Sequence, residues 1–342
     1  MKHIRTAVVG CGYWGKNLVR NFAGLSDLAM CCDESESVRK ALARQYPSSK
    51  VVGSYQEVLE NDSVDAVVLA TPAHTHAELA VAALQSGKHV FVEKPLALSV
   101  ADAERVAQAV ADTGRILMVG HLLVYHPAVD YLKTLIESGE LGEVYYCYSQ
   151  RLNLGKVRSD ENALWSLAPH DISIILHLIG EEPEEVEASG QAFLQPNIED
   201  VVFLLLRFPS GRVAHIHVSW LDPNKERRLT VVGSKKMAVF DDMNARGKIT
   251  IYDKSAHRRL PEAAPYESLG ELVSLREGDV VMPRVDPREP LQIECAEFLR
   301  SVATGVAPRA DINRGVQVVR VLEAAQAALD RQRLAYEGTR HG

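Results

Sequence analysis

The sequence predicts an α/β protein with two parts. The first is a doubly wound parallel sheet; the second is an α+β domain on a large, mostly antiparallel sheet. Three observations carry this. Short apolar strands alternate with helical segments up to about residue 120. A glycine turn, Gly10-x-Gly12-x-x-Gly15, stands between the first strand and the first helix. Beyond Val144 several strand-like runs follow one another with no long helix among Glu185–Phe240, the pattern of antiparallel pairing.

The elements read in order as follows. Ile4–Val9 is a short apolar strand, Asn17–Leu25 a helix, and Leu28–Cys32 a strand ending at Asp33. Val64–Ala70 is almost continuously apolar, as expected of a strand covered on both sheet faces. Thr75–Gly87 and Val100–Gly114 are helices stopped by glycine, with strands at His89–Val92 and Ile116–Val119. Pro127–Ser138 is a helix, Val144–Arg151 a tyrosine-rich strand, and a helix runs from about Pro169 to Ile179. Strands follow at Glu185–Ala192, Val201–Phe208, Val213–Trp220, Arg227–Val232 and Met237–Phe240. The polar, proline-containing stretch Lys254–Pro290 reads as an irregular loop, before helices at Leu291–Thr304 and Asn313–Arg333. The change of rhythm puts a domain boundary near residue 122, dividing the chain into 1–122 and 123–342.

Bulk properties narrow the class. The 342 residues suit about two domains. With 46% hydrophobic and 24% charged residues, extensive disorder is excluded. A net charge of -7 supplies no global basic field for nucleic acid or acidic lipid. No apolar run reaches the roughly 18 residues that span a bilayer, and Met1–Arg5 leads directly into a strand without a secretory h-region. The five cysteines (Cys11, Cys31, Cys32, Cys147, Cys295) are odd in number and lack disulfide or metal spacing, so a reducing cytoplasm is expected.

The chemistry gathers at strand ends. In the glycine turn Gly10 permits the tight bend, Gly12 lets backbone approach a pyrophosphate, and Gly15 permits close helix packing. Amides at the helix start then face the phosphates. Asp33 ends the second strand, where its carboxylate suits an adenosine ribose and repels a 2′-phosphate. Glu34 and Glu36 add negative charge and no nearby arginine offsets it, so NAD is expected over NADP. Thr71-Pro72 marks another carboxyl strand end, followed by His74 and His76. No third ligand accompanies those histidines, so no metal is expected. Lys94, in Glu93-Lys94-Pro95, closes the strand His89–Val92, where an ammonium can serve chemistry at a nicotinamide.

The glycine turn, Thr71-Pro72 with His76, and Glu93-Lys94-Pro95 together resemble the Gfo/Idh/MocA family of NAD(P)-dependent sugar oxidoreductases. The resemblance extends to Pro290-Leu291, Glu294, Phe298-Leu299, Gly305, Pro308 and Gly315. It implies a Rossmann domain followed by a domain with an open sheet, whose free face packs against another subunit in a dimer or tetramer. It also implies cofactor contacts from Gly10, Gly12, Tyr13, Trp14, Gly15, Asp33, Thr71, Pro72, His76, Glu93 and Lys94. The family's Asp-x-x-x-His element matches Ser166 to His170, so the histidine is present and serine replaces the aspartate. Lys94 and His170 are the implied catalytic pair. His170 has the ordinary pKa of a base near neutrality, and Lys94 suits a developing alkoxide. The reverse assignment, with Lys94 taking the proton, stays open.

Arg151, Asn153, Lys156, Arg158 and Asn162 lie between the first strand of the second sheet and His170. Two arginines and a lysine suit a diphosphate. This stretch, with Gly120-His121 and Tyr125-His126-Pro127, resembles family members that act on nucleotide sugars. Tyr125, Trp165 and His170 complete the expected substrate set. The implied reaction is oxidation of C3 of a UDP-N-acetylhexosamine to the 3-keto sugar. A polyol or simple-sugar dehydrogenase of the inositol type is the enzymatic alternative, and an NAD-responsive regulatory protein the non-catalytic one.

Overall fold

The computed structural model describes residues 4–155, 157–258 and 273–340. Contacts divide the chain into two compact units. The first holds the residues up to His126 together with Arg288–Glu323. The second holds Pro127–Pro287 and the residues from Ala324 onward. A single cut near residue 122 therefore does not describe the division.

The first unit is a six-stranded parallel sheet of β1 (Arg5–Val9), β2 (Asp27–Cys32), β3 (Lys50–Val52), β4 (Ala66–Leu69), β5 (His89–Glu93) and β6 (Leu117–Gly120). Its order is β3-β2-β1-β4-β5-β6, reversing direction at β1/β4 as a doubly wound sheet does. Alternate side chains point to opposite faces, and each face has its own core. Val8, Cys31, Val68 and Phe91 join one, under α1 (Gly15–Leu25) and α2 (Glu36–Gln45). Ala7, Val67 and Val92 join the other, under α3 (Tyr55–Leu59), α4 (His76–Gln85) and α5 (Val100–Thr113).

The C-terminal helices explain the return of the chain to this unit. On α8 (Pro290–Thr304), Leu291, Cys295, Phe298 and Leu299 fill the first core. Phe22 of α1, Phe91 of β5 and Phe298 of α8 meet edge to face, with centroids 5.7–6.2 Å apart. Val316 and Val319, early in α9 (Ile312–Arg340), complete the second core.

The second unit is an eight-stranded sheet. Its strands are β7 (Val144–Leu152), β8 (Glu185–Gln191), β9 (Val201–Arg207), β10 (Val213–Ser219), β11 (Glu226–Gly233), β12 (Met237–Asp241), β13 (Ile249–Arg258) and β14 (Val273–Val281). The order is β14-β13-β12-β11-β7-β10-β9-β8. Every pairing is antiparallel except β7 with β10. Helices α6 (Pro127–Glu137) and α7 (Ala163–Ile179) also belong to this unit. Cys147, Arg151, Val202, Leu204, Ala214 and Ile216 are buried, while the alternating positions Tyr146, Phe203, His215 and His217 are exposed or half-exposed. On that open face Phe203 stacks on His217, and Tyr146 on Tyr148.

Three readings of the sequence change. Residues 34–63, left without elements, form α2, β3 and α3; these are short, and β3 has only three residues. The expected loop over Lys254–Pro290 carries the end of β13 and all of β14; β14, at the sheet edge, is polar over much of its length because it is mostly exposed. Helix α7 starts at Ala163, not near Pro169. Proline normally marks a first turn, yet here the Asn162 side chain caps the helix by accepting from the Trp165 amide at 3.2 Å. Pro169 sits inside, where its missing N–H leaves the Trp165 carbonyl without the usual helical donor.

Candidate functional site

The first unit concentrates its candidate residues at the carboxyl ends of its strands. Gly10 has φ +81°, and a Cβ there would lie 2.7 Å from the Ala70 carbonyl oxygen. A Cβ on Gly15 would lie 1.8 Å from the Gly10 carbonyl oxygen. Both positions therefore require glycine, since backbone cannot yield to a side chain. A Cβ on Gly12 would meet nothing within 4 Å, so this face of the turn is open to a ligand. No side chain caps the start of α1; its Lys16 and Asn17 amides donate to the Gly12 and Trp14 carbonyls at 3.2 and 2.9 Å.

Beside the turn lies a cavity of about 480 Å³ lined by Gly10, Gly12, Asp33, Thr71, Pro72 and His74, among others. Asp33 accepts from the Cys11 amide at 2.8 Å and the Ser35 amide at 2.9 Å, which ties the strand end to the glycine turn. The cavity, the open Gly12 and the carboxylate at the rim fit an adenine dinucleotide. One expectation fails here. Arg39 reaches back from α2 to donate to the carbonyls of Asp33 and Glu34 at 2.8 and 2.7 Å, so an arginine does stand beside the acid. It lies in a helix that the sequence reading left undrawn. Tyr55, from α3, also lines the cavity.

Thr71 and Pro72 reach the cavity as expected. His76 does not: it is buried, and its ring nitrogens lie 2.7 Å from the Pro95 carbonyl and 2.8 Å from that of Thr71. It braces the ends of β4 and β5, and burial pushes its pKa down. Tyr13 is 89% exposed.

Glu93 and Lys94 close β5. Register places Glu93 opposite Gly120 of β6, where a Cβ would come 3.0 Å from Glu93 Oε2. The buried Glu93 carboxylate accepts from the Trp14 indole N–H and, at 3.2 Å, from the Lys94 amide. Burial raises its pKa to about 7 against those donors and the Lys94 charge. Glu93 and Trp14 thus hold the turn to the strand end. Lys94 itself is half-buried. His121, directly after β6, is buried, and among the described residues neither ring nitrogen has a hydrogen-bond partner. Burial, then Lys94, then Arg314 lower its pKa to about 3, so its imidazole is neutral.

Tyr125 is a second correction. It is buried in this unit, its hydroxyl accepts from the Ala310 amide at 3.1 Å, and Arg309 stacks on its ring. It is a core residue, not a substrate contact.

In the second unit His170 lies in the middle of α7, half-exposed, with Ser166 one turn before it on the same face. Asp171 turns inward and forms a buried two-pronged ion pair with Arg151. Arg158 is held by Asp160 at 2.7 Å and Glu161 at 2.8 Å. Asn162 caps α7 and donates to Glu199 and Gln326. Trp165 donates its indole N–H to Gln326 at 3.2 Å. Asn153 is half-exposed, and Lys156 lies outside the described residues. The expected diphosphate cluster is thus mostly engaged in internal pairs, because acids from two to 37 residues away come to meet it.

Among the described residues no three His, Cys, Asp or Glu side chains gather as a metal site needs, and no helix is long and apolar enough to cross a membrane.

Comparison with known proteins is consistent with these features. Residues 4–121 match the NAD-binding Rossmann-fold domain of the Gfo/Idh/MocA oxidoreductases, and residues 129–239 match a Gfo/Idh/MocA C-terminal domain. UDP-N-acetylglucosamine 3-dehydrogenase of Acidithiobacillus ferrooxidans is 28% identical over 95% of this chain and 99% of its own. A solved structure of that enzyme superposes with a TM-score of 0.80, covering 97% of this chain and 99% of its own, at 27% identity. 2,7-Anhydro-N-acetylneuraminate hydratase of Escherichia coli is 27% identical over 90% of this chain and 88% of its own. An NAD-dependent scyllo-inositol 2-dehydrogenase of Bacillus subtilis is 30% identical over 69% of this chain and 73% of its own.

Proposed function

Because the chain belongs to the Gfo/Idh/MocA family of oxidoreductases, which act with a nicotinamide cofactor on sugar-like substrates, we propose that it oxidises C3 of a UDP-N-acetylhexosamine, with NAD as acceptor. The observation that carries this reading is the end-to-end similarity to UDP-N-acetylglucosamine 3-dehydrogenase, with Lys94 at the end of β5 and Asp33 at the cavity rim. When bound, the nicotinamide supplies the hydride acceptor. Gly10, Gly12 and Gly15 let the backbone approach the pyrophosphate, and Asp33 holds the ribose. Lys94 donates to the alkoxide that develops as the hydroxyl is oxidised. His170 takes the hydroxyl proton. Asp171, next to His170 in the chain, is paired with Arg151. The NAD preference rests on the Asp33 carboxylate alone, with Arg39 beside it.

A second reading, oxidation of a free polyol, is favoured by one observation. Arg151 and Arg158 are spent on internal acids rather than held open for a diphosphate. A 340-nm screen with UDP-GlcNAc, UDP-GalNAc and myo-inositol separates the two. NAD reduction by inositol with no response to UDP-sugars, and no inhibition by UDP, would sink the nucleotide-sugar assignment. Lys94→Ala should lose turnover while still binding NADH; near-normal turnover would remove Lys94 from the chemistry.

The apolar and aromatic residues of the open sheet face, Tyr146 and Phe203 foremost, support assembly as a dimer or tetramer through that face. Phe203→Glu should then lower the mass seen by light scattering. The five free, buried thiols suit a reducing compartment such as the cytoplasm.

A further inference from the structure

The parallel-sheet unit buries an acid that the proposed reaction leaves unused. Glu294 of α8 is wholly buried, and among the described residues neither of its carboxyl oxygens has a hydrogen-bond partner. A buried polar group without a partner is costly, and leucine would fill similar space without that cost.

Its position follows from the aromatic contact between α8 and β5. Phe298 lies one turn beyond Glu294 on the same helix face, and its ring meets that of Phe91 at 5.7 Å. Glu93 lies two residues beyond Phe91, on the same face of β5. Glu294 and Glu93 thus lie on the facing surfaces of α8 and β5, close enough for their charges to interact. Burial raises the Glu294 pKa well above the usual range, and the Glu93 charge raises it further. The titratable and charged groups that act on the pair are Lys94 at the end of β5, Tyr125, and Cys295 on α8; Arg309 and Glu297 act in turn on Tyr125, Glu289 and Arg20 on Cys295, and His121 lies next to Lys94 and Arg314. None of them donates a hydrogen bond to Glu294.

We propose that Glu294 is a positioning residue: a neutral carboxylic acid whose O–H turns to Glu93 when Glu93 ionises, so that Glu93 can carry the negative charge that answers a positively charged, oxidised nicotinamide. The last clause rests on the reading of Lys94 as the hydride-site lysine. Glu93 already has two donors, the Trp14 indole and the Lys94 amide. Glu294 adds a third that is needed only in the ionised state, which is why it stands unpartnered. A carboxylic acid kept neutral by an apolar site is a hydrogen-bond donor at neutral pH. In this arrangement the charge of the cofactor ring is linked to one proton on Glu93.

Two measurements test this. The first needs no cofactor. The Trp14 N–H is bonded to Glu93, so the emission component removed by Trp14→Phe should titrate with a midpoint near 7. Glu294→Gln retains a donor and should leave that midpoint in place. Glu294→Leu removes the donor and should raise it by about one pH unit or more. Equal midpoints in the two variants, or the absence of any Trp14 titration near neutrality, overturn the proposal. The second is calorimetry of the wild-type protein at pH 7 in two buffers of different ionisation enthalpy. NAD⁺ binding should release up to about half a proton, while NADH binding and the Glu93→Gln variant should release none. Equal release with NAD⁺ and NADH overturns the link to ring charge. Failure to bind either cofactor would instead overturn the cofactor reading, and the Trp14 titration would still decide the role of Glu294.

Discussion

Breaking the Arg151–Asp171 pair should destabilise the second unit more than any surface ion pair would. The two side chains are 8% and 4% exposed, and the guanidinium engages both carboxylate oxygens. Asp171→Asn leaves a guanidinium buried on β7 with no counter-charge. Removing one partner of such a pair costs about 3–5 kcal/mol. In a unit of this size, that corresponds to a fall in Tm of roughly 6–20 °C. Arg151→Met should cost a similar amount for the opposite reason, since it strands the carboxylate. The double variant Arg151→Met/Asp171→Leu removes both charges and should recover most of the loss. Denaturant unfolding of the four proteins compares these costs. A cost below about 1 kcal/mol for Asp171→Asn, the range of exposed pairs, would refute the argument. The same double variant asks whether Arg151 touches substrate. If stability returns while KM for a UDP-sugar rises tenfold, Arg151 has a second role beyond the pair.

Gly15→Ala should abolish cofactor binding and lower stability, because its Cβ would lie 1.8 Å from a backbone oxygen that cannot move aside; cofactor titration by fluorescence checks this. Asp33→Ser should raise the NADP-to-NAD ratio of kcat/KM by about tenfold or more, since the 2′-phosphate then meets Arg39 instead of a carboxylate; an unchanged ratio would mean that Arg39 stays bound to the backbone. Glu93 and His121 should tilt stability against pH in opposite senses. The Glu93 pKa is raised to about 7, so between its ordinary value and 7 the native state holds the extra proton, and stability falls as pH rises. The His121 pKa is lowered to about 3, so the unfolded state holds the extra proton between 3 and its ordinary value, and stability falls as pH drops. Glu93→Gln should flatten the first slope and His121→Phe the second, read from denaturant midpoints over pH 4 to 8.

The parallel sheet was legible because its signals are local. A strand buried on both faces must be apolar along its whole length, as Val64–Ala70 is, and a dinucleotide turn needs its glycines at set spacing. Both follow from backbone sterics and burial, which a short window contains. The second sheet was legible in its central strands and lost at its edge in β14, where exposure on both faces removes the apolar pattern. The start of α7 was misplaced because Pro169 mimics a helix start, whereas the true start depends on the side chain of Asn162.

The candidate site divides in the same way. Sequence alone determined Gly10, Gly12, Gly15, Asp33 and Lys94 as residues at strand ends, because their positions follow from chain-local geometry. Tertiary structure alone decided which charges are available. It gave Arg151 to Asp171, Arg158 to Asp160 and Glu161, and brought Arg39 to Asp33. It also set Glu294 beside Glu93, some 200 residues away in the chain. A charge is neutralised, or its pKa moved, by whatever lies within a few ångströms, and sequence order does not encode that proximity.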